Sequence, residues 1–278
     1  MATKVVREPV AGDAAPSPGA PPEETPFESL SGICSVLVIG LFILTFIGQN
    51  YEIPSGSMEN TLMVGDHLLA DQITCLPRTS WMPLVHHRDP RRGDIVVFRR
   101  PAPQPEPDAD GNPVYLTLVK RLIGMPGDHI HLHDGTVFIN GVAQPMPKDG
   151  LDTPVISGDQ AYVDDFPSVL PTVEDTHGAV TTWVVDLPNH LENGDIVVPP
   201  GKYFMMGDHR HASLDSRFWG FVPRENIIGR PLFIYWSFKT PGDQEDKKGI
   251  GNQLAWFAHV AIHFFTDTRW NRTFHRMH

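Results

Sequence analysis

Residues 54–58 (PSGSM) carry two serines on either side of a glycine, and this spacing suits nucleophilic chemistry. Proline fixes its own backbone and glycine permits a tight turn, so the hydroxyls of Ser55 and Ser57 can share one side of it. Ser57 can then attack a carbonyl carbon, while the Ser55 hydroxyl and the Ser57 backbone N–H receive the developing oxyanion. The alternative is a structural turn that caps the segment after it.

A serine nucleophile needs a base, and the candidate is Lys120 in residues 115–123 (YLTLVKRLI). The alternation predicts a strand, one face of which carries Leu116, Leu118, Lys120 and Leu122. A lysine among leucines loses hydration, which favours the neutral amine, and only the neutral amine can take a proton from a hydroxyl. The alternative is a lysine that extends to solvent from an edge strand.

A third polar element is residues 207–220 (GDHRHASLDSRFWG), which lie between two apolar stretches. Buried polar groups need partners. We therefore expect Ser213 to hydrogen-bond the lysine amine and Asp215 to pair with Arg217, so that the ion pair braces the loop. The alternative is a surface loop with incidental ion pairs.

The segment before the serines is apolar. Residues 29–48 contain no charge over 20 positions, about the length that an α-helix needs to cross a bilayer. They follow a proline-rich, acidic lead-in, residues 1–28, which we predict to be a disordered tail. The lead-in and the missing cleavage site favour an uncleaved transmembrane anchor, and the few cations weakly favour a cytoplasmic N-terminus.

The rest of the chain indicates short strands. The whole chain has 27 prolines and 24 glycines, and Gly-Asp pairs precede strand-like segments four times, which is typical of hairpin turns. Residues 144–195 are polar and proline-rich and suggest an insertion, with strand candidates at 161–163 and 180–185. Near the C-terminus, residues 254–265 have helical spacing, which predicts a helix that lies either at a membrane interface or on the soluble domain.

Composition excludes several classes of function. A net charge of −11 argues against nucleic acid as a partner, and no glycine-rich nucleotide motif occurs. The two cysteines form neither a disulfide framework nor a zinc site. His129, His131 and His133 alternate on a predicted strand, but no catalytic zinc motif accompanies them, so we expect no metal and no other cofactor.

Four stretches in order carry a family resemblance: PSGSMENTLMVGDHLL, RRGDIVVFRRP, YLTLVKRLIGMPGDHI and GDHRHASLDSRFWGFVPRENIIGRP. Together with the apolar run before them, they resemble bacterial type I signal peptidases over roughly half of the chain. The resemblance implies a serine–lysine membrane protease that removes signal peptides from exported preproteins. Its partners would be signal peptides and membrane lipid, with no nucleic acid or nucleotide.

The resemblance also assigns roles to individual residues. It implies that Ser57 is the nucleophile, Lys120 the general base, Ser55 the oxyanion donor, Ser213 the lysine-orienting residue, and Asp215 and Arg217 structural residues. Two positions depart from the family: His209 stands where asparagine is common, and His211 where an acidic residue is frequent. These departures change the hydrogen bonding expected of the last stretch.

The implied fold is mostly β. It has an antiparallel β-sheet catalytic domain (49–128 and 200–241) with a smaller inserted β domain (129–199). One transmembrane helix (29–48) precedes the catalytic domain, and a linker and an amphipathic tail (242–278) follow it. The resemblance places the catalytic domain on the outer face of the cytoplasmic membrane.

The family cuts after small residues of an extended peptide, typically Ala-x-Ala. Such a peptide can add as a strand beside an exposed edge, with alternate side chains in pockets. We predict that the pocket is formed by Tyr51, Ile53, Met58, Leu62, Leu118 and Val119. Two other classes of protein share some of these features: a self-cleaving repressor with serine–lysine chemistry, and a membrane-tethered β scaffold that binds peptides without cutting them.

Overall fold

The computed structural model describes residues 25–42, 48–75, 87–101, 106–107, 113–114, 116–145, 160–169, 181–242 and 249–277. The chain divides after Phe42 into two compact units, and each is described by itself. The first contains helix α1 (Pro26–Phe42), whose start is fixed by a reciprocal cap. The Thr25 N–H donates to the Glu28 carboxylate at 2.9 Å, and the Glu28 N–H donates back to Thr25 Oγ1 at 3.3 Å.

Helix α1 differs from the helix that the apolar run predicts. It starts three residues earlier, so residues 26–28 are helical rather than part of a disordered tail, and Gly48 already belongs to a strand. Residues 1–24 and 43–47 lie outside the described residues. Within the described ranges, no helix combines the length and apolar content that a membrane crossing requires.

The second unit is built on a large antiparallel sheet of eight strands, in the order β1-β2-β14-β3-β6-β12-β13, with β15 paired to β14. These strands are β1 (Gly48–Glu52), β2 (Asp66–Asp71), β3 (Ile95–Arg99), β6 (Thr117–Gly124), β12 (Lys202–Met206), β13 (Val222–Pro223), β14 (Ile227–Ser237) and β15 (His275–Arg276). Strand β2 alternates buried and half-buried positions, whereas the first four residues of β3 are all buried. Strand β3 is therefore covered on both faces. The prediction of a mostly β fold is confirmed.

A smaller sheet follows in the inserted region, in the order β10-β11-β7-β8-β9. Its strands are β7 (His129–His133), β8 (Thr136–Ile139), β9 (Val142–Ala143), β10 (Leu191–Glu192) and β11 (Asp195–Val197). A third pair, β4 (Glu106–Pro107) and β5 (Pro113–Val114), forms a separate two-stranded sheet. Side chains of both main sheets share one hydrophobic core, and the boundaries of a separate inserted domain stay a prediction.

Both strand candidates in the insertion are wrong. Residues 161–163 lie in helix α2 (Gln160–Asp164). Of the candidate 180–185, residues 181–185 lie in helix α3 (Thr181–Asp186), and residue 180 lies outside the described residues. Tyr162 and Trp183 are buried and donate to the same carbonyl, that of Arg217 in helix α4 (Ser216–Trp219), at 2.9 Å in the case of Trp183. Tertiary contacts thus override the β propensity of these short segments.

Near the C-terminus, the helical spacing correctly predicts helix α5 (Ile250–Asp267). One side of it contacts the end of β14 through aromatic rings, with Trp256 against Phe238 and Phe264 against Trp236. The other side exposes an apolar stripe of Leu254, Phe257, Ile262 and Phe265. No residue of α5 is fully buried.

After α5 the chain returns to the segment that follows the two serines. Arg269 donates to the Val64 carbonyl at 2.9 Å, and Arg272 donates to the Thr61 carbonyl at 2.8 Å. Arg272 also pairs with the fully buried Asp66 at 2.6 Å. The last described residues therefore hold residues 61–66 against the large sheet.

Candidate active site

Ser57 and Lys120 meet in the second unit. Lys120 Nζ lies 2.6 Å from Ser57 Oγ, although 63 positions separate the two residues. Ser57 occupies a short 3₁₀ turn (Gly56–Met58), and Lys120 lies in the middle of β6. The contact is short enough for direct proton transfer between the hydroxyl and a neutral amine.

The turn around Ser57 is held by its apolar neighbours. Met58 and Leu62 are buried in a small core beneath it, and the Leu62 N–H donates to the Met58 carbonyl at 2.7 Å. The Ile53 carbonyl accepts from the Gly65 N–H at 2.9 Å, which closes residues 53–65 into a compact loop. Apolar burial on one side therefore presents the Ser57 hydroxyl on the other.

Lys120 is 3% exposed, and its surroundings lower its pKa from 10.5 to about 8. Burial is the main cause, because a low-dielectric interior disfavours the ammonium form. The positive charge of Arg217 lowers the pKa further, while Asp215 and Asp208 oppose the shift. At pH 7 roughly a tenth of the molecules therefore carry the neutral amine.

The loop that contains Asp215 and Arg217 carries the predicted ion pair. Both side chains are fully buried, and the guanidinium forms two bonds of 2.9 Å to the carboxylate. Arg217 also donates to the carbonyls of Arg210 (2.6 Å) and Val163 (3.0 Å). Burial alone would raise the pKa of Asp215, but Arg217, Lys120 and the Gly207 N–H outweigh it and hold the pKa below its ordinary value.

Replacing Asp215 with alanine should reduce the free energy of unfolding by about 3–5 kcal/mol, because Arg217 would remain buried without its counter-ion. Chemical denaturation of the two proteins measures this difference. Asp89→Ala is the matched control, since its side chain is 90% exposed and its removal should change stability by less than about 0.5 kcal/mol. A loss below about 1 kcal/mol for Asp215→Ala would contradict a bracing role.

Ser213 and Ser55 have different surroundings. Ser213 is 3% exposed, but its hydroxyl makes no hydrogen bond within the described residues, so the predicted bond to the lysine amine is not formed here. The Lys120 amine is instead turned to Ser57. The Ser213 hydroxyl rests on Gly207, where a Cβ would lie 2.3 Å from it, so only glycine fits. Ser55 is exposed, has an extended backbone and lines the same cleft as Ser57.

A second ion pair, absent from our sequence-based expectations, joins three segments of the site. Arg121 donates to both carboxylate oxygens of Asp208, at 2.7 and 2.6 Å. Thr61 Oγ1 donates to the same carboxylate at 2.5 Å. Because Arg121 and Lys120 are successive strand residues, they project to opposite sides. The alternating strand pattern that predicts the orientation of Lys120 also predicts that Arg121 faces the opposite side. This alternation is the sequence signal from which a separate role for Arg121 could have been inferred.

The two histidines that depart from the family pattern both have partners. The His209 N–H donates to the Ser57 carbonyl at 3.2 Å, and its ring Nδ1 lies 3.3 Å from the Gly56 carbonyl and 3.6 Å from the Glu59 carboxylate. His211 Nε2 contacts Asp164 of α2 at 2.9 Å. His209 thus braces the 3₁₀ turn that contains Ser57, and His211 ties the loop to the insertion.

An open cleft of about 490 Å³ surrounds the Ser57–Lys120 contact. Five of the predicted pocket residues line it: Tyr51, Ile53, Met58, Leu118 and Val119. Leu62 does not line it, because this side chain is fully buried in the core beneath. Sequence reasoning missed Leu116, Leu214 and Trp219, which also line the cleft.

Comparison with known proteins is consistent with this geometry. The family model described as signal peptidase, peptidase S26, matches residues 27–236. A probable signal peptidase I-2 from Synechocystis is 30% identical over 223 residues, 80% of this chain and 79% of that protein. A signal peptidase I from Pseudomonas fluorescens is 32% identical over 222 residues, which cover 74% of this chain and 71% of that protein. One from Rickettsia typhi is 33% identical over 221 residues, which cover 74% of this chain and 77% of that protein. The chain therefore belongs to the peptidase S26 family of signal peptidases.

Proposed function

We propose that this protein is a membrane-bound serine endopeptidase that removes N-terminal signal peptides from exported preproteins, with Ser57 as nucleophile and Lys120 as general base. The observation that carries the mechanism is the 2.6 Å contact between the Ser57 hydroxyl and the amine of a buried lysine. A lysine whose pKa is lowered to about 8 can act as a base near neutral pH.

The reaction follows from this pair. Neutral Lys120 takes the proton of Ser57 while Oγ attacks the scissile carbonyl carbon, and the Ser55 hydroxyl and the Ser57 N–H stabilise the oxyanion. The Lys120 ammonium then protonates the leaving amine of the mature protein, and the signal peptide stays as an ester on Ser57. Lys120 next takes a proton from water, whose oxygen attacks the ester carbon. The Lys120 ammonium then returns a proton to Ser57 Oγ as the C–Oγ bond breaks, and the signal peptide leaves with a free carboxylate.

The pairing of β6 supports an extended substrate beside Ser57. Strand β12 pairs with β6 only at positions 121, 122 and 124, whereas β3 pairs with it from 117 to 121. Residues 117–119 therefore have no strand on the β12 side within the described part of the chain. A signal peptide can add there as a strand, with its alternate side chains towards the cleft.

The cleft walls suit small side chains near the cut, which agrees with cleavage after Ala-x-Ala sequences. Ile53 and Met58 line the cleft, yet they are only 4% and 1% exposed because they also belong to the core. Because the core holds them in place, these two side chains form fixed walls of the cleft. A pocket of this kind rejects residues larger than alanine by steric exclusion.

Ile53→Ala should relax this selectivity. We expect the ratio of kcat/KM values for alanine over valine next to the cut to fall about tenfold, since one or two methylene groups in a pocket are worth about 1–3 kcal/mol. A peptide series measures the ratio. Ile95→Ala is the matched control, because Ile95 is equally buried in the same core but does not line the cleft. Equal selectivity in both variants would show that Ile53 does not shape the pocket beside the cut.

We further propose that residues 29–48 anchor the chain as a single span in the cytoplasmic membrane, with the catalytic part on the outer side. Their lack of charge supports the anchor, as do the exposed apolar side chains of α1, such as Val36 and Leu41. The exposed apolar stripe of α5 offers a second surface for membrane lipid. Such a position suits substrates whose cleavage sites lie close to the membrane.

The test is cleavage of a preprotein by the purified full chain in detergent. Mass spectrometry of the product should find a new N-terminus directly after an Ala-x-Ala sequence. Binding of the preprotein without cleavage would instead support a peptide-binding scaffold. Cleavage at scattered sites would argue against signal-peptide specificity.

A further inference from the structure

One face of helix α5 carries three side chains that can bind a metal ion. His259, His263 and Asp267 follow one another at intervals of four residues, which places them on one side of the helix. One donor atom from each lies within 4.8 Å of the other two. His259 Nε2 and Asp267 Oδ2 are 3.8 Å apart.

The two imidazole rings are already oriented. His263 Nδ1 lies 3.0 Å from the His259 carbonyl, which can only accept, so Nδ1 carries the proton and Nε2 keeps its lone pair. The His259 ring stacks on Trp256, with centroids 5.3 Å apart, and meets the edge of Phe238. The two histidine rings stack on each other at 4.3 Å. These contacts keep both rings on the same face of α5.

We propose that this face of α5 binds one divalent zinc-type ion through His259, His263 and Asp267. Two imidazole nitrogens and one carboxylate oxygen are a donor set that zinc accepts, with water in the fourth position. Ligands at zinc distances lie roughly 3.4 Å from one another, so side-chain rotations alone bring these atoms close enough. Lys239 Nζ lies 3.9 Å from Asp267 Oδ1, but its side chain is 62% exposed and can move away.

The ion would act as a structural crosslink. Helix α5 buries no residue fully, so packing alone holds it weakly, and a metal that ties positions 259 and 267 would stiffen its second half. The helix leads directly into Arg269 and Arg272, which hold the carbonyls of Val64 and Thr61 near the nucleophile turn. Metal binding would thus stabilise the C-terminal brace and take no part in the bond cleavage.

The experiment titrates the untagged full chain in detergent with Zn²⁺ by calorimetry, and with Co²⁺ by absorption as a probe of geometry. We expect one bound ion and a higher unfolding temperature with Zn²⁺. His263→Ala and the more conservative Asp267→Asn should each weaken binding at least tenfold, with helix content checked by circular dichroism. His133→Ala is the control, because His133, Asp134 and Asp165 form the other three-residue group. Binding that survives both α5 variants, or that His133→Ala abolishes, would overturn the proposal.

Discussion

Ser57→Ala and Lys120→Met are each expected to abolish signal-peptide cleavage while the protein stays folded. The first removes the attacking oxygen, and the second removes the group that takes its proton. Removing one member of a nucleophile–base pair in a serine protease reduces kcat by about 10⁴–10⁶-fold, and we expect a loss of at least about 10⁴-fold here. Methionine keeps the length and apolar volume of the buried Lys120 side chain, so the loss should be chemical rather than structural.

Single-turnover cleavage of a purified preprotein measures both losses. The double variant should be no slower than either single variant, because the two residues act as a unit. Lys202→Met is the matched control for the lysine, since Lys202 lies on the neighbouring strand β12 and is only half-buried. Ser55→Ala should reduce kcat by about 10²–10³-fold, which is the usual effect of removing one oxyanion donor. A Lys120→Met protein with a tenth of the original activity would show that another group is the base.

The local part of this site could be predicted from the sequence. Alternation along 115–123 placed Lys120 on an apolar strand face, and the buried polar loop implied the pairing of Asp215 with Arg217. Both inferences need only neighbouring residues and the cost of burying an unpaired charge. Part of the cleft also follows from the sequence, because residues 51–53 and 118–119 line it together with Ser57 and Lys120.

The errors arise where long-range packing decides the outcome. Leu62 points into the core because the turn after Ser57 closes on Gly65, and no local pattern reveals that closure. The salt bridge of Arg121 with Asp208 spans 87 positions and depends on how β6 pairs with β12. Residues 161–163 form a helix because Tyr162 is buried against the loop that holds Arg217, which outweighs the intrinsic preference of three residues.

Cleavage should become faster as pH rises through about 8, because the proposed mechanism requires neutral Lys120, whose pKa is lowered to about 8. Burial lowers the lysine pKa, so protonation at lower pH removes the base. Below pH 8, kcat/KM should fall about tenfold for each pH unit, so that at pH 6 about 1% of the plateau rate remains. A pH–rate profile of kcat/KM with a peptide substrate measures the midpoint. A midpoint near 10 would indicate a solvated lysine, and one near 6.5 would implicate a histidine such as His209.

The neighbouring charges supply a sharper test of the same idea. Asp208 raises the pKa of Lys120, so Asp208→Asn should move the midpoint of the profile to lower pH. The substitution removes a negative charge and leaves the positive charge of Arg121 uncompensated, and both effects disfavour the ammonium. Asp89→Asn, a change at an exposed carboxylate, should leave the midpoint in place. If Asp208→Asn also left it in place, or moved it upward, Lys120 would not be the group that controls the rate.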